Sequence, residues 1–369
     1  MRHQRAPEVQ HVDASLVDAV AAENGAPPRP LDDAVRLAIA SATDAPEFLL
    51  PWLDRFYTPS DAGLVLAAAK AAGAADGAAG LEALAPQALE RAVRRAVLDR
   101  DDEGRVSPAS FHARFEMWAF FEGWCDLPDA VRRPLNEWEL AYYIEEIGPG
   151  VEAMRDGRAP ESDQGAYTFL LLDEAETLLR AQPHVYLWPY NCRAMWGNCS
   201  KPLNVCLRFG NDRNVGWELT HDRAVEVLRE SDRRGLMHTA YGDSLHGGHG
   251  VCNCCTDCCF PRVTARRLDA EAVWPLRRHV ASVAAATCDA CGRCTKRCRY
   301  GAISLRRGDA GGDVAMVDAA ACRGCGLCAT GCGEYAISML AVTCGGSPTN
   351  QPAPAGLTAR ATRTARARP

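Results

Sequence analysis

Apolar residues along the chain fall into short blocks of helical or strand period, separated by Gly-, Pro- and charge-rich breaks. Leu49, Leu50, Leu53 and Phe56 recur at helical spacing, and Ser60 is the expected N-cap of a helix over 61–71. The Gly/Ala-rich stretch Gly73–Gly80 reads as a loop. Leu89, Ala92, Val93, Ala96 and Val97 then line one face of an amphipathic helix, with Arg91, Arg94 and Arg95 on the other. Leu98–Val106 reads as a hairpin whose tip, Asp101-Asp102-Glu103-Gly104, is a solvated turn. The aromatic run Phe111, Phe115, Trp118, Phe120, Phe121 and Trp124 reads as core, as does Cys125 among it. Residues 155–164 form a polar linker, 167–179 an apolar-faced helix and 185–188 a strand. Thr220 or Asp222 caps a helix that runs through Arg234, with Gly235 as its stop.

The two ends lack any such pattern. Residues 1–30 close on Pro27-Pro28-Arg29-Pro30, and residues 346–369 are Pro, Ala, Thr and Arg, so both read as disordered tails, the second basic through Arg360, Arg363, Arg366 and Arg368. Between them the pattern predicts an α+β protein: a mainly helical region over 31–160, a cysteine-rich module over 161–262 and a cysteine-motif domain over 263–345. The order helix, helix, hairpin within 46–110 loosely resembles a winged helix, without a diagnostic motif.

Charge and cysteine sharpen this division. The net charge of −6 hides an asymmetry: residues 1–160 carry 16 basic against 27 acidic side chains, whereas 262–307 carry 11 against 3. The acidic N-terminal part disfavours nucleic acid, whose binding depends on cations neutralising phosphates. The basic segment, with Arg266, Arg267, Arg277, Arg278, Arg293, Lys296, Arg297 and Arg299, fits a protein partner with an acidic surface. No apolar run is long enough for a membrane helix and no secretory segment follows Met1, so a cytoplasmic location is expected. Of the 18 cysteines, all but Cys125 lie at or beyond Cys192, and a reducing compartment makes metal or redox chemistry their expected use. No dinucleotide or P-loop motif appears, and no nucleophile–base pair is legible.

Eight of those cysteines form a duplicated run. Cys288, Cys291, Cys294 and Cys298 repeat 34 residues later as Cys322, Cys325, Cys328 and Cys332, each a C-x2-C-x2-C-x3-C spacing followed by Ala302-Ile303 or Ala336-Ile337. This is the spacing of four-iron, four-sulfur (4Fe-4S) sites: three thiolates on a tight loop reach one cubane, and the fourth, expected to start the following helix, reaches the other. Cys288, Cys291, Cys294 and Cys332 are thus one expected set, and Cys322, Cys325, Cys328 and Cys298 the second. Gly292, Gly324 and Gly326 let the backbone curl close to sulfide, and the Ala-Ile pairs would pack beneath the clusters. The region resembles the two-cluster (dicluster) bacterial ferredoxin domain, with Arg299 and Gly333 where that family has proline. The resemblance implies two 4Fe-4S clusters and single-electron transfer to a redox partner protein.

A second group lies upstream: Cys192, Cys199, Cys206, Cys252, Cys254, Cys255, Cys258 and Cys259. It resembles a cysteine-rich module found ahead of ferredoxin domains in some bacterial iron–sulfur proteins, without the further cysteine that module has near Tyr190. Three uses stay open: a third Fe–S cluster drawing on both segments, zinc with His246 or His249 as an added ligand, and a metal-free dithiol. The leading expectation is an electron-transfer protein or oxidoreductase component relaying electrons between a partner and the upstream site. A redox-dependent regulator with a DNA- or protein-binding winged helix, and an Fe–S oxidoreductase with the upstream site catalytic, are the rivals.

Overall fold

The computed structural model describes residues 30–72, 86–124, 127–160, 167–188, 191–211, 213–241, 249–308 and 311–342. The expected tails, the Gly73–Gly80 loop, Cys125 and His246 lie outside these residues. Helix and sheet are both present, as an α+β chain requires.

The N-terminal part is helical. Helix α1 (Asp33–Thr43) is followed by a 3-10 turn (Glu47–Arg55), α2 (Pro59–Ala72), α3 (Pro86–Arg94), the hairpin β1 (Leu98–Arg100) and β2 (Val106–Pro108), then α4 (Phe111–Phe121) and α5 (Asp129–Arg155). The order helix, helix, hairpin is therefore present, and the hairpin pairs Leu98 with Pro108. Leu49, Leu53 and Phe56 are buried, but the stretch is 3-10 rather than α, with Pro51 inside it. The cap of α2 is Thr58, not Ser60. Asp61 N–H donates to Thr58 Oγ1 at 3.1 Å, while Thr58 N–H donates to Asp61 Oδ2 at 2.9 Å, a reciprocal box that Pro59 extends by fixing the first helical φ.

Beneath the aromatic core lies a buried charge network. Arg114, fully buried on α4, donates to Phe56 O (2.8 Å), Arg95 O (2.9 Å) and Glu122 Oε1 (2.7 Å), and Arg95 bridges Glu122 to Asp61. Burial alone would raise the Glu122 carboxyl, but Arg114 and then Arg95 override it and hold the carboxyl at about 2. A carboxyl depressed in the fold stabilises above its unfolded value, near 4.5, and that stability drains as pH falls toward 2. Acid titration followed by Trp fluorescence is therefore expected to show a transition between these values that shrinks in Glu122→Gln.

The middle part is one antiparallel six-stranded sheet, ordered β3-β7-β8-β5-β4-β6. Its strands are β3 (Thr168–Leu170), β4 (Val185–Trp188), β5 (Cys206–Arg208), β6 (Trp217–Leu219), β7 (Met237–Tyr241) and β8 (Gly250–Cys254). The helix expected over 167–179 divides into β3 and α6 (Leu172–Arg180). Phe169 N–H donates to Leu276 O and the Thr168–Leu170 backbone pairs with β7, so a tertiary edge overrides the helical period. Helices α6 and α8 (His221–Arg233) cover one face with Ala175, Leu179, Ala224 and Leu228 over Leu207, Val251 and Ala240. Thr220 is the α8 cap, its Oγ1 accepting Arg223 N–H, and Gly235 follows in the left-handed region at φ +73°. Short helix α7 (Asn191–Trp196) lies between β4 and β5.

Helix α9 (Phe260–Arg267) runs across residue 262 and joins this sheet to the C-terminal part. There β9 (His279–Val283) pairs with β12 (Ile337–Ala341) and β10 (Ile303–Arg307) with β11 (Asp313–Val317). Between them sit α10 (Arg293–Arg297) and α11 (Leu327–Thr330). No helix among the described residues is long and apolar enough to cross a membrane.

Candidate metal centres

In the duplicated loops the chain turns tightly after the second cysteine, rises through α10 or α11 with the third, and leaves the helix at the fourth. The fourth cysteine ends that helix instead of starting a following one: Cys298 N–H donates to Cys294 O and Cys332 N–H to Ala329 O, and the chain then turns into β10 or β12. Each half must return as a strand, so only one helical turn fits between the third and fourth cysteines. The two halves repeat backbone states at the same offset. Ala290 and Gly324 are both left-handed, at φ +57° and +70°, as are Gly301 and Tyr335. At Gly324 a Cβ would also meet His279 O at 2.2 Å, so here glycine is demanded twice.

Folding crosses the halves over. Cys288, Cys291, Cys294 and Cys332 line one space of about 320 Å³, floored by Ala336 and Ile337. Cys298, Cys322, Cys325 and Cys328 line a second of about 310 Å³, floored by Ala302 and Ile303. Each fourth sulfur accepts an amide, Cys298 Sγ from Ala302 at 3.2 Å and Cys332 Sγ from Ala336 at 3.3 Å; Cys322 Sγ accepts from Ala281 at 3.5 Å. Burial pushes the Cys325 and Cys328 thiols up to about 12, so metal entry there must release protons. The second space is also bordered by Arg323 and Tyr300, whose buried Nε and hydroxyl find no acceptor among the described residues. Donors left over beside a ring of thiols fit an anionic metal–thiolate group.

The upstream cysteines sit on the sheet face opposite α6 and α8. Along β8, Val251 faces the helices, so Cys252 and Cys254 share the other face by the period of two, and Cys206 on β5 joins them. The loop after α7 is fastened to β8 by Arg193, which donates to Asn253 O (2.9 Å) and Pro202 O, and by Asn253 Nδ2 donating to Val205 O (2.6 Å). That brings Cys192 and Cys199 over the strand. All eight sulfurs gather here, with Cys254, Cys255, Cys258 and Cys259 buried. They divide into two sets. Cys199, Cys255 and Cys258 lie with all three sulfurs within 4.8 Å of one another. The other five form a chain of contacts: Cys206 to Cys252 to Cys254, then Cys259, 2.8 Å from Cys254, to Cys192. The cysteines of the duplicated loops form no group as compact as the first set. His249 is exposed at the start of β8 and joins neither set.

No family model, curated protein or solved structure matches the chain. The candidate centres therefore rest on geometry and donor chemistry: sixteen described cysteines are free thiols, and Cys199, Cys255 and Cys258 form a group compact enough to hold one ion.

A cluster that the sequence pattern did not single out lies between α4 and α5. Ligand atoms of His112, Glu116 and Glu139 fall within 4.8 Å of one another. His112 stacks on Tyr142 at 3.7 Å and its Nε2 is 3.3 Å from the buried Glu139 Oε2. The i, i+4 spacing of His112 and Glu116 on one helix was the readable signal; Glu139 arrives only through packing. Among the basic residues expected to meet a partner, Arg277 and Arg297 instead donate to backbone carbonyls and Arg278 pairs with Glu174. Arg293, Lys296 and Arg299 are exposed.

Proposed function

We propose that the chain is an iron–sulfur electron-transfer protein or subunit, with two 4Fe-4S clusters in the duplicated loops and a further centre on the upstream cysteines. The observation that carries this reading is the crosswise grouping of the eight loop cysteines into two four-thiol spaces. Their sulfurs are too widely set to share single ions, which favours polynuclear groups. A bound cubane would supply one-electron capacity, with its potential set by local charge and N–H···S bonds. The chain's own residues supply those levers: the amides of Ala281, Ala302 and Ala336 on sulfur, and the buried cations Arg262 and Arg323 near the second space.

The order of the centres supports a relay. Cys291 is exposed, so the first space opens to the surface beside Arg293 and Lys296, where an acidic redox partner would dock. The second lies inward. Tyr300 on its wall meets Phe169 at 6.2 Å and packs with Met237, and both Cys325 and Cys254 act on its hydroxyl, so aromatic packing links the second space to the upstream cysteines.

A second reading makes the upstream site catalytic. It is favoured by Tyr143, Tyr167 and Tyr241, whose hydroxyls burial keeps protonated beside Cys252. Iron and sulfide analysis of anaerobically prepared full-length protein tests the main reading. About twelve irons per chain are expected, four for each of three clusters. About eight would remove the upstream centre from the relay, and iron-free protein after reconstitution would overturn the relay altogether.

A further inference from the structure

We infer that Cys199, Cys255 and Cys258 bind one zinc ion, apart from any polynuclear centre on Cys192, Cys206, Cys252, Cys254 and Cys259. This deepens the reading of the upstream module as a metal site and does not depend on the two C-terminal clusters.

The spacing of the sulfurs decides it. A tetrahedral ion with metal–sulfur bonds of about 2.3 Å holds its ligand sulfurs on an edge of about 3.8 Å, the bond length multiplied by √(8/3). Cys199 Sγ lies 3.9 Å from Cys255 Sγ and 3.6 Å from Cys258 Sγ. A cubane would spread the same thiolates over separate irons. The five remaining cysteines hold no three sulfurs this compactly.

Local backbone agrees. Cys255 and Cys258 are a C-x2-C pair on the turn that leaves β8, and Cys258 N–H donates to Cys255 Sγ at 3.3 Å, an amide aimed at a sulfur as a thiolate ligand requires. The strand ends at Cys254, so Cys255 is the first residue outside the ladder that carries Cys252 and Cys254. Cys199 comes from the loop that Arg193 ties to Asn253, and the Arg193 cation also acts on Cys255 and offsets part of the thiolate charge. Three soft thiolates at tetrahedral edge spacing favour zinc over the hard divalent ions magnesium, calcium and manganese.

Among the described residues no fourth His, Cys, Asp or Glu atom joins the set. The fourth position is left to one lighter ligand atom, at the edge formed by half-buried Cys199. The ion would staple the α7–β5 loop to the β8 turn, beside the Arg193 and Asn253 hydrogen bonds that already hold the other five sulfurs together.

Elemental analysis and zinc X-ray absorption on the intact, anaerobically purified chain test this. About one zinc per chain is expected, with three sulfur neighbours near 2.3 Å and one lighter atom. Cys258→Ser and Cys199→Ser are each expected to lose that zinc while the iron count and the reduced-cluster resonance spectrum stay unchanged. Wild-type protein holding less than about 0.2 zinc per chain, or a zinc shell without three sulfurs, would overturn the assignment, and neither measurement requires a variant to fold. Iron lost from Cys258→Ser with zinc retained would overturn it equally, by giving the triad to a cluster.

Discussion

Cys298→Ser is expected to damage the same cluster as Cys322→Ser and to leave intact the one that Cys294→Ser damages, although Cys298 is four residues from Cys294. The two four-thiol spaces draw their fourth sulfur from the opposite loop, Cys298 joining Cys322, Cys325 and Cys328, and Cys332 joining Cys288, Cys291 and Cys294. Either pair of variants should lose about four irons, the content of one cubane. Low-temperature resonance spectra of the reduced proteins separate the outcomes. Cys298→Ser and Cys322→Ser should share one residual spectrum, and Cys332→Ser and Cys288→Ser the other. A Cys298→Ser spectrum matching that of Cys294→Ser would mean that each loop serves its own cluster, and the crossed arrangement would be wrong.

Arg114→Ala should be the most destabilising single change in the N-terminal part. The Arg114 side chain is wholly enclosed and its guanidinium satisfies the carbonyls of Phe56 and Arg95 as well as Glu122. Removing it strands two carbonyls and leaves the Glu122 carboxylate, 8% exposed, with Arg95 as its sole remaining partner in this network. Breaking one member of a buried ion network typically costs about 3–5 kcal/mol, far more than any surface pair. Urea unfolding followed through Trp118, which packs on Phe56 at 4.5 Å, reads the change. A loss under about 1 kcal/mol would show that the network is solvated in solution and contributes little.

Much of the architecture follows from local rules, because local rules suffice for it. The 98–106 hairpin, the strand over Val185–Trp188 and the Thr220-capped helix were readable because period, turn residues and cap all pointed one way. The edge strand β3 was not. Three residues carry too little pattern to defeat the helical reading of their neighbours, and only pairing with β7 and Leu276 makes them a strand. The Ser60 cap failed for a related reason: Thr58 and Asp61 close a reciprocal box one residue before Pro59, and two satisfied amides outweigh a lone serine.

The cysteines show the same boundary. Spacing alone marked the duplicated loops, since three thiolates at intervals of three on a tight turn have few places to point; their crosswise grouping around two spaces is set by how the halves fold together. Spacing marked the upstream eight as candidate metal ligands but left them undivided. Adjacent Cys254 and Cys255 go to different sets because one is the last residue of a strand and the other the first of a turn, a distinction of strand register. Cys199 reaches Cys255 and Cys258 across more than fifty residues, held by Arg193 and Asn253, and Glu139 reaches His112 only where two helices cross. The sequence by itself determined which residues can bind metal, because ligand chemistry belongs to the side chain. Which of them meet was decided by the tertiary structure, because a shared ion or cluster depends on distances between segments, and those are set by sheet pairing and helix packing rather than by order along the chain.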